Sequence, residues 1–387
     1  MSRPSRRSPS RIAKAAKPLT GVEILERERA TPHTYVVVVG ESLSKYHMHL
    51  YGYERDTTPE LDRLSQSGAM TVFRDVVTSH AMTVPALTNA FSFDRASGHD
   101  GHTLFDVLNG AGFKTFWLSN QYQYGFYQSG VSLLTSAATQ FWASQPLGND
   151  NFSSARRDFD TDLLPELRRV IAGEGQDKFI FLHLMGSHYL YKTRYPSAED
   201  YFNPTELPRC LTAAQAADVN DYDNSVRFND SLIQKIVEVV RDAADAAGDA
   251  FVLYFSDHGE EIFEYRDFEG HTDTMLSPYL AEIPFVVWLS RGYRQHHPEI
   301  AARVGAAQNR SYDTSDLLYS ITDLARLSFP GDDPTRSIFS GSFVPRQRMT
   351  ADRDYDQFKR GWTPDAAHAK PAPLIRCSPY MNSANAR

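Results

Sequence analysis

Cysteine is almost absent from this chain: among 387 residues there are only Cys210 and Cys377, far apart and without Cys-x-x-Cys or Cys-His spacing. That scarcity excludes a disulfide framework and a structural zinc knot, and leaves at most one cross-link, whose compartment two cysteines do not decide. Long apolar runs are absent too. Stretches such as Tyr35 to Val39 and Ile283 to Leu289 fall far short of the ~20 residues a membrane helix requires. No apolar segment comes after Arg6-Arg7, so neither a secretory nor a twin-arginine signal is expected. Nor is there a surplus of positive charge. The 40 basic side chains are outnumbered by 48 acidic ones, for a net charge of −8, so no global basic field invites nucleic acid.

The one basic stretch is the start, where Arg3, Arg6, Arg7, Arg11, Lys14 and Lys17 precede the first acid, Glu23. Rich in Ser, Pro and Ala and without hydrophobic periodicity, residues 1–32 read as a disordered basic tail. A surface tail with no dedicated role is favoured there over a segment lying on anionic lipid headgroups.

Beyond the tail the chain has a βα rhythm. Tyr35 to Val39 ends in Gly40-Glu41-Ser42, Thr115 to Ser119 in Asn120, Phe179 to Leu184 in Met185-Gly186-Ser187-His188, Phe251 to Ser256 in Asp257-His258, and Pro284 to Leu289 in Ser290-Arg291. Helix-like segments over Thr58–Ser67, Thr103–Ala111, Asp160–Ala172 and Ala213–Ala247 lie between them. Short β-rich runs without alternation, separated by helices, predict an α/β fold with a mostly parallel central sheet covered by helices on both faces. No repeat or Pro/Gly/Ser linker divides it, so residues 33–345 form one domain, followed by a Pro-rich, weakly structured extension over 346–387.

The chemistry lies where strands end. In Phe251-Val252-Leu253-Tyr254-Phe255-Ser256-Asp257-His258-Gly259-Glu260-Glu261 a buried run stops at an Asp-His pair, at the edge where open α/β sheets bind ligands. Glu41 comes after another such run. Two carboxylates and an imidazole match the ligand set of catalytic zinc, and a hydroxyl at the open position would become a nucleophile. Candidates are the hydroxyls of Thr78, Ser79, Thr83 and Thr88 within Val77 to Thr88.

Val39-Gly40-Glu41-Ser42, the segment from Leu50 to Pro59, His183 to His188 and Ser256 to Glu261, in that order, resemble the phosphoethanolamine transferases of the sulfatase and alkaline phosphatase superfamily. Val76 to Ser79, Asn220 to Asn224 and Asp333 to Ser337 look closest to the branch that modifies the lipopolysaccharide core, a relative of the lipid A enzymes. The resemblance implies a sulfatase-like catalytic domain over 33–345, with Glu41, Asp257, His258 and the nucleophile Thr83 as ligands of one tight zinc site, and a second ion as an option. Thr78 and Ser79 are the alternatives to Thr83. The resemblance also places His188, Asn120 and Glu260 on the substrate side and makes His271 a candidate general acid, while a core role for His183 is as well supported as a ligand role. Bland readings stand beside these: a helix cap for Glu260, a turn for Asn120.

The implied reaction moves phosphoethanolamine from phosphatidylethanolamine to a lipopolysaccharide sugar or phosphate, in the core or lipid A, through a phospho-threonine. The alternative is a soluble phosphodiesterase or phosphatase in which water resolves the same intermediate, and a metal-free scaffold is the reading from another class. The family works from the periplasmic side of the inner membrane behind several membrane helices. No membrane helix or signal peptide is expected in this chain, which leaves three readings: the reading frame starts late, the protein works as a soluble enzyme, or it meets a membrane surface through its basic tail.

Overall fold

The computed structural model describes residues 19–25, 32–93, 101–121, 129–144, 159–173, 175, 177–202, 211–244 and 248–362. Most of the basic tail, both cysteines and the end of the chain beyond 362 lie outside them.

Seven strands form the central sheet: β1 (Thr34–Gly40), β2 (Met70–Phe73), β3 (Lys114–Ser119), β4 (Gln140–Ala143), β5 (Lys178–His183), β6 (Ala250–Ser256) and β7 (Phe285–Leu289). Their spatial order is β2-β7-β6-β1-β5-β3-β4. β1 sits at the centre, parallel to β5 on one side and β6 on the other. Its five consecutive residues from Tyr35 to Val39 are all fully buried. Alternate side chains feed two cores: Tyr35, Val37 and Val39 join Phe181, Leu253 and Phe285 on one face, while Val36 and Val38 join Ile180, Leu182 and Val252 on the other. A strand buried on both sides has no need of polar alternation, and for that reason it reads as a continuous apolar run.

The sheet is mixed, because β7 runs antiparallel to both β6 and β2. The other four pairings are parallel, in keeping with the mostly parallel sheet expected, and only a parallel β7 would bring Ser290-Arg291 to the edge that carries Asp257-His258. Residues between Ser256 and Phe285 stay at the carboxyl edge, where His258 and His271 meet, so the chain re-enters the sheet from that edge, reversed. Ser290 therefore lies at the far edge, where its hydroxyl bonds to Gly248 O at 2.8 Å and caps the helix Arg291–His296 through Tyr293 N at 3.0 Å.

Helices cover both faces. The first core takes in side chains of α1 (Thr83–Phe91) and α2 (Leu104–Gly110). The second is closed by α3 (Leu163–Ile171) and α4 (Ala213–Ala244). At 32 residues, α4 is about 48 Å long. Beyond 345, residues Met349–Thr350 and Arg353–Asp354 pair as a hairpin and Tyr355–Gly361 is helical. No helix among the described residues is long and apolar enough to cross a membrane.

Candidate metal and phosphoryl-transfer site

The ends of β1 and β6 are adjacent, with Gly40 opposite Ser256, so Glu41 and Asp257 emerge side by side. Both are buried, as is His258. His258 Nε2 lies 3.4 Å from Glu41 Oε1 and 3.4 Å from Asp257 Oδ2. Thr83, the first residue of α1, places Oγ1 3.2 Å from Glu41 Oε2 and 3.4 Å from His258 Nε2. Thr83 thus stands at a helix N-terminus, whose unpaired backbone N–H groups and dipole favour a phosphoryl group. The other three hydroxyls are turned elsewhere: Thr78 Oγ1 donates to Asp257 O at 2.6 Å, Ser79 Oγ accepts from Asn89 at 3.2 Å, and Thr88 Oγ1 donates to Val84 O at 2.7 Å.

Electrostatically the cluster draws positive charge. Burial raises Asp257 to about 8 and the charge of Glu41 adds to the effect. Burial acts the same way on Glu41, but the hydrogen bond and charge of His258 hold that carboxyl well below its ordinary range. Burial disfavours a charged His258, yet Asp257 and Glu41 pull it up to about 10. Asp257 Oδ2 is buried without a hydrogen bond, and Glu41, Asp257 and His258 bring their ligand atoms within 4.8 Å of one another. An orphaned carboxylate oxygen and a proton held between two acids both fit a bound divalent cation. His258 is set for this: its Nδ1–H points at Gly259 O, 2.8 Å away, leaving Nε2 facing the cluster.

Glu41 is held by Ser42, Tyr222 and Gln121, of which the first two lie in motifs visible in the sequence, although nothing local ties Tyr222 to this acid. Ser42 has φ +56, a left-handed conformation rare for a residue with a side chain. It is pinned by its N–H to Asp257 Oδ1 at 3.1 Å, its hydroxyl to Glu41 Oε1 at 2.9 Å, and Tyr222 OH on its carbonyl at 2.7 Å. Tyr222 in turn accepts from Ser44 N at 2.8 Å. Gln121 donates to Glu41 Oε2 at 3.0 Å and to Leu184 O at 2.7 Å. A polar residue at the end of β3 is the visible signal and it points to Asn120, but it is the neighbouring Gln121 that reaches the acid. Asn120 donates to Asp160 at 2.8 Å and accepts from Ser144 at 2.6 Å. Asp160 accepts from the backbone N–H groups of Met185 and Gly186, each at 2.8 Å, so this pair shapes the turn before His188.

His271 lies tilted against His258, ring centroids 4.1 Å apart, and the His188 ring is 6.1 Å from that of His271. Burial lowers His188 below its ordinary value, against the attraction of Glu41. Glu260 is fully buried. It holds His271 Nδ1 at 2.6 Å and accepts from Tyr191 OH at 2.8 Å, so it touches the histidine rather than open space. His258, Glu260 and His271 make a second group of potential ligands next to the first. His183 stays in β5, where burial lowers it to about 4; Nδ1 is 3.2 Å from Ser119 Oγ and Nε2 makes no hydrogen bond.

The chain matches the Sulfatase family over residues 33–327. It is 33% identical over 326 residues to "Phosphoethanolamine transferase EptC" of Escherichia coli K12, covering 82% of this chain and 55% of that protein. It is equally similar, 33% over 327 residues with the same coverage, to "Phosphoethanolamine transferase CptA" of Salmonella typhimurium. The chain therefore spans about half the length of these relatives. The C-terminal periplasmic domain of Escherichia coli EptC, solved as a complex with zinc, superposes with a TM-score of 0.79 at 30% identity, over 88% of this chain and 97% of that one.

Proposed function

This chain belongs to the sulfatase family, and we propose that it transfers phosphoethanolamine from phosphatidylethanolamine to lipopolysaccharide through a covalent intermediate on Thr83. The observation that carries this reading is the position of the Thr83 hydroxyl, 3.2 Å from Glu41 and 3.4 Å from His258 at the start of a helix. The resemblance to phosphoethanolamine transferases supplies the transferred group.

Glu41, Asp257, His258 and Thr83 would hold a zinc ion, which would supply Lewis acidity to lower the pKa of the hydroxyl and offset charge on the phosphoryl oxygens. Thr83 Oγ1 loses its proton and attacks phosphorus; the bond to the diacylglycerol oxygen breaks, and that oxygen takes a proton. His271, fixed by Glu260, stands where it can deliver that proton. The N-terminal amides of α1 face the non-bridging oxygens. An acceptor hydroxyl or phosphate then displaces Thr83 in line, with His188 binding a phosphoryl oxygen and the threonine recovering its proton.

Incubation with phosphatidylethanolamine should add the mass of one phosphoethanolamine to the intact protein. Thr83→Ala should abolish the adduct, and an adduct that survives would move the nucleophile to Thr78 or Ser79. Acceptor-independent release of free phosphoethanolamine, with no transfer to core oligosaccharide, would make the protein a hydrolase instead.

A further inference from the structure

A cavity of about 680 Å³ opens beside α1, lined by Thr88, Asn89 and Ser92 on the helix and by the segment Arg346 to Met349 opposite. Its size is that of a small-ligand site, but its wall is not that of an apolar pocket. Fourteen of the 18 lining residues carry a side chain able to form hydrogen bonds, so the wall is polar rather than the apolar lining an acyl chain requires. The charges are mixed. Arg336 and Arg346 both bond to Asp316, Arg348 bonds to Asp75 and Asp356, and Asp313 accepts from Met349 N. Such a balance gives no field for a polyanion, and the wall carries both donor and acceptor side chains, as a ring bearing several hydroxyls requires. Phe343, partly exposed on the wall, adds flat apolar surface for the C–H face of such a ring. His102 Nδ1, also on the wall, is buried without a hydrogen bond.

The cavity is tied to the nucleophile. Thr88 is five residues from Thr83 on the same helix, about 7.5 Å along its axis and about 140° round it, so the cavity lies on another face of α1 from the nucleophile. From the other side the chain leaving Met349 runs directly to the loop before Thr83: Thr350 Oγ1 donates to Thr78 O at 2.8 Å and Ala351 N to Ser79 O at 2.8 Å. Ser79 accepts from Asn89, which lines the cavity.

We infer that this cavity binds one sugar unit of the acceptor, anchoring the glycan on α1 while a hydroxyl or phosphate of another unit takes the group transferred from Thr83. The sugar's role as acceptor rests on the transferase reading; its binding in the cavity does not. The test is calorimetric titration of the full chain with core oligosaccharide released from lipopolysaccharide, with inorganic phosphate as control. Thr88→Trp fills the cavity from an exposed position on α1, and Arg346→Ala removes a half-exposed donor. Each should weaken oligosaccharide binding about tenfold with the melting temperature retained. Absence of oligosaccharide binding by the unaltered protein, or unchanged affinity in both folded variants, overturns the inference. The Thr83 adduct is scored separately: if it never forms while binding stays sensitive to both substitutions, the cavity is a sugar site and the transferase reading fails alone.

Discussion

Tyr222→Phe removes one oxygen from a fully buried side chain and leaves its ring in place, so it isolates the support of Glu41 from packing. The lost hydroxyl accepts from Ser44 N at 2.8 Å and donates to Ser42 O at 2.7 Å. Leaving a buried donor and a buried acceptor unpaired costs about 1–3 kcal/mol each, so the metal-free protein should lose roughly 2–6 kcal/mol. A second effect comes from Ser42, whose φ of +56 costs ~1–3 kcal/mol and persists only while its surroundings enforce it. Released from Tyr222, the turn relaxes and carries Glu41 away from Asp257 and His258. Zinc affinity should fall about 10- to 100-fold, and by linkage the zinc-loaded protein should lose a further ~1.4–2.7 kcal/mol. Urea denaturation with and without zinc, alongside chelator competition, measures both quantities. Equal losses in the two forms, or a total below ~0.5 kcal/mol, would refute the view that Tyr222 holds the acid in place.

Gly186→Ala should be severe, since an added Cβ would stand 2.5 Å from Glu41 O at a residue with φ +54; a loss of roughly 3 kcal/mol or more in urea unfolding is expected. Glu282 tests the acid limb: burial opposes its charge, but Lys45 and Lys359 hold it down at about 2. Its folded pKa lies below its unfolded one, so its contribution is present above about pH 4.5 and lost as pH falls toward 2, on the order of 3 kcal/mol; the melting temperature of Glu282→Gln should depend less on pH across that window than that of the parent. Glu260→Gln should leave the fold intact and lower kcat at least tenfold through a mispositioned His271, whereas full turnover in that variant would exclude a working role for the histidine.

What could be read from the sequence, and what could not, divides along a physical line. β1, β5 and β6 were legible because strands buried on both faces leave unbroken apolar runs, and a polar residue ending such a run is conspicuous. Glu41, Asp257 and His258 stand out in that way. β2 and β4 gave no such signal: each has four residues, and β4 is a half-exposed edge strand that never had to be uniformly apolar. The direction of β7 was invisible because composition carries no sign; only the stretch from Asp257 to Ile283, spent on building the site, decides which edge the chain re-enters from. Asn120 stood out ahead of Gln121 because a turn position does not reveal which of two amides points inward.

The supports of the site were illegible for a further reason. Gln121 is 80 residues from Glu41 and Tyr222 is 180 from Ser42, so no local spacing links them to the acid they hold. The segment Asn220 to Asn224 shows how a recognisable motif can act without touching the chemistry. Asp223 accepts from Tyr53, 2.9 Å away, and from Arg55, 2.6 Å away, and Asn224 accepts from Tyr201 N and Phe202 N at 3.0 and 2.9 Å. With Tyr222 beside them, one turn of α4 ties three separate loops to a rigid helix. Two acids and an imidazole packed this closely repel or misalign unless their backbones are fixed, and the strained turn at Ser42 cannot fix itself. Substitutions in this turn of α4, remote in sequence from every proposed ligand, should therefore depress zinc affinity more than substitutions of equal stability cost elsewhere on the same helix.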